Sequence, residues 1–335
     1  MAERLISLPK DAGLLGEMIA TSFQYPENPA WSVQTDEKEG LADTVAGIRR
    51  LWPLIRIAQV FTPSLRNLLR GYFWEEENRT AGIVIAQPRG KSRNWMVTTV
   101  ATHPDFRRRG IARKLVNAIL AFVRREGGRQ VALDVIAGNL PAYKLYESVG
   151  FRHFTSMFEL EIPAAPAAPA PQFPEGYRLL PLDMMDWQTR YDLEKRIIPA
   201  AVQEFETVDP ARYQQPAILR LILPLINRIQ GTRMVDRSIQ HIASGQTVGR
   251  MTVTARTKPG GRHNLAARLD PAHAHLAPAL LTGLLHEVAQ GSAGQVIQMT
   301  VMGWQPELLA AAHAAGFKTR IEFHRMGLTL PQAGK

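Results

Sequence analysis

The sequence predicts a mixed α/β chain built from two copies of one domain, and three observations point there. First, PAAPAAPAPQFP (163–174) holds five prolines in twelve residues, and alternating proline and alanine favours an extended spacer of ~3.1 Å per residue. That segment divides a first domain, 1–162, from a second, 175–335. Second, the two parts repeat one another in order. RRLWPLIRIAQ (49–59) echoes RLILPLINRIQ (220–230), and RTAGIVIAQ (79–87) echoes QTVGRMTVT (246–254). IARKLVNAILAFV (111–123) echoes LAPALLTGLLHEV (276–288), and LYESVGF (145–151) echoes AAHAAGF (311–317). Four echoes at a nearly constant offset indicate a duplicated domain, with a period too long for a solenoid. Third, the first part alternates strand and helix patterns: strand, helices, strands, then strand-helix-strand-helix-strand.

Each element has its own reason. RLISL (4–8) opens the first domain as a strand, and Asp11 to Phe23 reads as a helix. Within 40–69, Leu41, Val45 and Ile48 keep helical spacing, interrupted at Pro53 and Pro63. YFWEEE (72–77) and AGIVIA (81–86) form a hairpin around Asn78-Arg79. WMVTTVAT (95–102) is rich in β-branched residues and reads as a strand. Ile111, Leu115, Ala118, Ile119, Phe122 and Val123 make one helical stripe, ended by Gly127-Gly128. VALDVI (131–136) is the next strand. Asn139 caps a short helix with Pro141 in its first turn, an apolar face of Ala142, Leu145, Tyr146 and Val149, and Gly150 as terminator. FELEI (158–162) closes the domain as its last strand.

Composition narrows the function classes. The chain has 335 residues, 45% hydrophobic and 21% charged, which is ordinary globular composition. It has no cysteine, which excludes disulfides, thiolate metal sites and a cysteine nucleophile and fits a cytoplasmic setting. The opening MAERLISLPKDAGLL lacks the apolar core of a signal peptide, and no run reaches the ~18 apolar residues of a spanning helix. A formal charge of +10 favours an anionic partner such as nucleic acid, a membrane surface or a phosphorylated cofactor. No nucleic-acid module accompanies that charge, and the arginine excess is concentrated near one loop or scattered, so neither nucleic acid nor membrane is expected as a partner.

That loop is the decisive segment, VTTVATHPDFRRRGIARKLV (97–116). A strand runs into an arginine-rich turn and a glycine opens a helix. The first N–H groups of a helix have no intrahelical partner, and the helix dipole favours an anion there. Arg107, Arg108 and Arg109 add charge-assisted bonds, Gly110 removes a Cβ from the approach, and small Ala112 keeps the first turn open. The residues describe a phosphate or pyrophosphate site, the alternative being a solvated basic turn.

Arg107-x-x-Gly110-x-Ala112, after a strand ending in His103-Pro104, resembles the acyl-CoA pyrophosphate loop of the GNAT family of N-acetyltransferases. The block from Asn139 to Phe151, NLPAYKLYESVGF, is similar to that family's second signature. The resemblance covers Val97 to Glu161 closely and the rest of the first domain loosely. It implies tandem domains, each a central mixed, mostly antiparallel sheet flanked by helices. It implies acetyl-CoA as co-substrate with no metal, and direct attack by a primary amine of a small molecule or a peptide or protein in a ternary complex. In that family, the strands around Val97 to Thr102 and Val131 to Ile136 splay into a V for the pantetheine arm. Backbone groups of Val100, Ala101 and Thr102 would bond the arm and polarise the thioester carbonyl, while Ile111 joins the pyrophosphate turn. Tyr146 stands where the family places the general acid for the departing thiolate; its apolar neighbours also suit a core tyrosine. Asn139 would cap its helix and touch the cofactor, or cap only. Asp134, in LDVIAGN, resembles a proton-accepting carboxylate of the subgroup acting on protein N-termini, or is a plain strand-edge acid. Glu75, Glu76 and Glu77 read as a solvated hairpin tip.

The second copy lacks this chemistry. LAARLDPAHAHLAPALL (265–281) has Asp270-Pro271 before its helix but no arginine triplet and no glycine. Alignment sets Ala312 against Tyr146 and Gln305 against Asn139. The expectation is a catalytic first domain, a degenerate second one, and either a monomer with pseudo-dimeric halves or a homodimer. The rival class is a non-catalytic acyl-CoA sensor or scaffold. Weaker signals carry nothing: Gly90-Lys91-Ser92 lacks a Walker loop's first glycine, His286-Glu287 has Gln290 where a second histidine belongs, His273 and His275 read as solvated, and Asn78-Arg79-Thr80 is a sequon of consequence only in a secreted chain. The amine is expected to be chosen by 24–71, which carries Trp31, Trp52 and Phe61.

Overall fold

A computed structural model describes residues 2–35, 37–38, 46, 52, 56, 70–90, 92–164, 168–214, 219–291 and 294–331. Leu41, Val45, Ile48, Pro53, Phe61 and Pro63 lie outside the described residues. Contacts divide the chain into two compact units: Met1–Phe154 with Ala201–Thr207 and His324–Lys335, and Thr155–Ala200 with Val208–Phe323.

In the first unit the elements are β1 (Ala2–Leu5), α1 (Ala12–Ser22), β2 (Arg70–Glu76), β3 (Arg79–Pro88), β4 (Asn94–Thr102), α2 (Ile111–Arg125), β5 (Gln130–Ile136) and α3 (Leu140–Val149). The strands lie in the order β1-β2-β3-β4-β5. Neighbours run antiparallel except β4 and β5, which are parallel. A parallel pair needs a crossover, and α2 supplies it. Glu77 and Asn78 form the two-residue hairpin turn, both at positive φ (54° and 57°), as a turn matched to strand twist requires. Period-two alternation then sorts β3 between two cores. Ile83 and Ile85 face Leu15 and Met18 of α1, while Val84 and Ala86 face the stripe of α2, whose Leu115, Ile119 and Val123 are wholly buried. At Gly82 an added Cβ would meet the Ala101 carbonyl and Leu115 Cδ1, each at 2.9 Å. Glycine is what lets α2 cross β3 so closely.

The second unit contains β6 (Arg152–Ile162) from residue 155 on, β7 (Tyr177–Pro181), α4 (Trp187–Ile197), α5 (Leu219–Gln230), β8 (Thr232–His241), β9 (Thr247–Arg256), β10 (His263–Leu269), α6 (Ala277–Val288), β11 (Ile297–Met302), α7 (Pro306–Ala314) and the first half of β12 (Lys318–Thr329). Its strands run in the order β6-β11-β10-β9-β8-β7, again antiparallel except for β10 and β11. Leu276, just before α6, and Leu280, Leu284 and Val288 on its buried face form the core with β9 to β11. Each unit is thus a mixed, mostly antiparallel sheet flanked by helices.

Compactness does not divide the chain at the Ala/Pro segment, all of which belongs to the second unit. FELEI, expected to close the first sheet, pairs instead with β11, from Ile162 opposite Ile297 to Met157 opposite Met302. The first unit takes its closing residues from the other end of the chain. Leu330 donates its N–H to the Arg129 carbonyl at 2.7 Å, and Met326 and Leu330 are buried with Leu133 and Phe151. Both halves end in a strand of similar alternation, and alternation alone does not state which sheet a strand joins. No helix among the described residues is long and apolar enough to cross a membrane.

Candidate functional site

The site begins where β4 leaves β5. Their parallel pairing runs from Asn94 opposite Gln130 to Val97 opposite Leu133. At the next residue the register with β3 slips: Ala86 faces Val97 and Ile85 faces Thr99, so Thr98 is the extra residue of a bulge. A bulge bends and twists its strand. Thr99 to Thr102 therefore stay with β3 while β5 goes its own way, and a cavity of about 850 Å³ opens in the first unit. Val100, Ala101 and Thr102 line one wall, the turn from Arg107 to Arg113 one end, and Asn139, Leu145 and Tyr146 the other side. The remaining wall is the segment after α1, with Tyr25, Glu27 and Trp31.

The turn into α2 explains the first end. Gly110 sits at φ 75°, a left-handed conformation that only glycine adopts freely. An added Cβ there would meet nothing within 4 Å, so the glycine serves the turn and leaves open space beside it. Lys114 donates to the Gly110 carbonyl at 3.2 Å as the first helical bond, which leaves the N–H groups of Ile111, Ala112 and Arg113 outside the ladder.

The three arginines expected together have different fates. Arg108, itself at φ 67°, lines the cavity. Arg107 also borders it, but its guanidinium donates to the Ser22 carbonyl at 2.8 Å. Arg109 turns away, pairing with Glu77 at 2.8 Å and Glu76 at 3.4 Å over the face of Phe106. Glu76 is accordingly buried rather than solvated, and Glu75 pairs with Arg4 at 2.8 Å. Arg113, which the sequence reading passed over, joins the cavity and donates to Ser148 Oγ at 2.9 Å. Its place in the first turn, three residues after the glycine, was the available signal.

On the other side, Asn139 caps its helix, its side chain accepting from the Ala142 N–H at 3.3 Å, and it also lines the cavity. Tyr146 is packed as a core tyrosine, 7% exposed against Phe151, and it borders the cavity. Burial pushes its phenol well above the ordinary value, with Tyr25 adding to the rise, so it stays protonated at neutral pH. Asp134 is elsewhere. Arg325 grips both its oxygens, at 2.7 and 3.0 Å, while also bonding Glu206, and Asp134 does not line the cavity. Among the described residues lining it, Glu27 is the one carboxylate. It lies in a Pro- and Asn-rich loop with no spacing that marks it.

Two hydroxyls at the cavity, Ser22 Oγ and Thr102 Oγ1, are buried without a hydrogen-bond partner. Native structures rarely leave such atoms unsatisfied. Together with the exposed helix start and its cations, they suit an elongated ligand with an anionic end and polar groups along its length.

The corresponding positions of the second unit are filled. Gln305 donates to the Leu269 carbonyl at 2.8 Å and Ala312 is fully buried. A 3₁₀ turn, Pro271–Leu276, precedes α6, with Asp270 accepting from Ala272 and paired to Arg196 at 3.0 Å. His273, read as solvated, lies 2.8 Å from the Tyr177 hydroxyl, and Glu287 is taken by Arg233 and Arg237.

Known proteins similar to this chain include acetyltransferases. Residues 43–151 match the model of the acetyltransferase (GNAT) family. The chain is 29% identical over 121 residues to N-acetylaspartate synthetase of Danio rerio, covering 36% of this chain and 39% of that protein. It is 34% identical over 77 residues to the catalytic subunit of the N-terminal acetyltransferase B complex of Arabidopsis thaliana, covering 22% and 44%. The match thus spans less than half the length of either relative. A solved tandem GNAT protein from the clavulanic acid biosynthesis pathway shares the fold, with a TM-score of 0.62 at 16% identity over 99% of this chain and 100% of that one.

Proposed function

This chain carries a GNAT-family acetyltransferase domain, and on that premise we propose that its first unit transfers an acetyl group from acetyl-CoA to a primary amine. The observation that carries the reading is the cavity itself: one opening joins a helix N-terminus with cations, a strand edge released from its neighbour, and a buried protonated tyrosine.

The residues fit acetyl-CoA. The N–H groups of Ile111 to Arg113, with Arg108 and Arg113, would hold the pyrophosphate. The edge of β4 from Val100 to Thr102 that faces away from β3, with Thr102 Oγ1, would bond the arm and the thioester oxygen. Acetyl-CoA supplies an activated thioester; amide formation with the amine releases the CoA thiol. Tyr146 holds the proton that a departing thiolate needs, and its raised pKa keeps that proton in place until then. Glu27 attracts the amine as its ammonium ion and accepts a proton from it, directly or through water; Asp134, neutralised by Arg325, is not the residue for that task.

The test is an acetylation screen over aminoglycosides, polyamines, amino acids and peptide N-termini, read as amine-dependent release of free CoA. The whole chain should respond to one of these classes, and Tyr146→Phe should bind CoA normally but turn over ~10²–10⁴-fold more slowly, the weight of a general acid. Binding of CoA with no release for any class would make the protein a sensor or scaffold.

A further inference from the structure

Arg107 is the member of the arginine triplet whose guanidinium is held by a backbone carbonyl. Its Nη2 donates to the Ser22 carbonyl at 2.8 Å, across 85 residues of chain. Ser22 is the last residue of α1, whose final turn contains no basic residue of its own. The end of a helix presents unpaired carbonyls and the negative end of its dipole, and a cation there is stabilising. Arg107 supplies it from the phosphate turn.

The segment after Ser22 is a loop tied to itself rather than a slack connection. Val33 donates to the Phe23 carbonyl at 3.1 Å, and Tyr25 donates to Ser32 Oγ at 2.8 Å. Asn28 and Trp31 close turns inside it, at 3.0 and 2.9 Å. Trp31 stacks its edge on Tyr25 and lies so near Gly138 that an added Cβ there would stand 3.3 Å from the indole. Because of these internal bonds, fixing the first residue of the loop fixes the wall that holds Tyr25, Glu27 and Trp31 against the cavity.

We propose that Arg107 is a positioning residue that joins the acyl-donor turn to the acceptor wall, so that occupying the donor end firms the wall against which the amine is held. This rests on the donor reading of the α2 N-terminus given above. A ligand that immobilises the turn immobilises Arg107, and through the Ser22 carbonyl the C-terminal end of α1 and the loop beyond it.

Hydrogen exchange on the full chain, with and without CoA, tests this. In the wild type, CoA should slow exchange across 23–33 by about tenfold, Tyr25 and Val33 included. Arg107→Ala should abolish that CoA-dependent slowing and quicken exchange there even without ligand, while CoA affinity changes by less than about threefold. Arg107→Lys, still a donor to a carbonyl, should restore most of the slowing. Unchanged protection of β3 in both variants shows that the fold is intact. The proposal is overturned if Arg107→Ala retains the slowing, or if it loses CoA affinity tenfold or more with 23–33 protected as in the wild type, which would make Arg107 a phosphate ligand. If the wild type does not bind CoA, the functional reading fails separately, and the unliganded exchange of 23–33 still decides the contact.

Discussion

Arg108 and Arg113 share the cavity with the first turn of α2, whereas the charge of Arg109 is spent on Glu76 and Glu77. The two groups should therefore separate in a binding assay. With each charge-assisted bond worth about 1–2 kcal/mol at a solvent-reached site, Arg108→Ala together with Arg113→Ala should weaken CoA binding on the order of 10²-fold. Arg109→Ala should leave it within about threefold, because its guanidinium is engaged by Glu76 and Glu77 and does not line the cavity. Calorimetric titration distinguishes these outcomes, and equal losses would show that Arg109 reaches the ligand as Arg108 and Arg113 do. Tyr146 makes a second prediction. Its phenol is held above its ordinary 10.0, chiefly by burial. A raised folded value means that its contribution to stability is whole below that pH and is lost as pH rises past it, when the unfolded chain ionises first. The denaturant midpoint should fall above pH 10, and Tyr146→Phe should lessen that fall. A wild-type midpoint that is flat there would mean that Tyr146 ionises freely. Arg107, Arg109 and Asp134 also show the limit of reading residues from sequence: their types are local, but their partners sit 85, 32 and 191 residues away.

At the scale of elements, the strand, the turn, the capped helix and Tyr146 were legible because each is specified by a few contiguous residues: Gly110 at positive φ, Asn139 capping α3, and the stripe of α2. The bulge at Thr98 was not, since it depends on how β3 pairs with β4. Two glycines separate backbone from packing. Gly82→Ala forces a methyl against the Ala101 carbonyl and Leu115 and should cost about 1–3 kcal/mol of stability by overpacking. It should weaken CoA binding as well, because α2 must shift. Gly110→Ala meets open space and should cost only about 1–2 kcal/mol, from its left-handed backbone. Chemical denaturation of both variants checks the order, and a smaller loss at Gly82 would mean that α2 yields without strain. The echo of Gly82, Gly249, is less tightly enclosed, for an added Cβ there would stand 3.0 Å from Ile239 and 3.4 Å from the Arg268 carbonyl, both on neighbouring strands.

For the whole molecule, the repeat seen in the sequence returns as register. Gly82 faces Thr102 across β3 and β4, and Gly249 faces Leu269 across β9 and β10. Each unit also carries one short parallel pairing that then stops. Which closing strand completes which sheet was invisible in the sequence, because both ends of the repeat have the same pattern. The two units part company at the site. The first leaves a helix start, two hydroxyls and Tyr146 around an opening, whereas the second sets Gln305 on the Leu269 carbonyl and Ala312 in the core. Equilibrium titration of CoA into the full chain and into the Arg108→Ala, Arg113→Ala double variant tests this contrast most directly. One CoA per chain is expected, with affinity collapsing in the double variant. A stoichiometry near two, or a single site that survives the loss of both arginines, would contradict it.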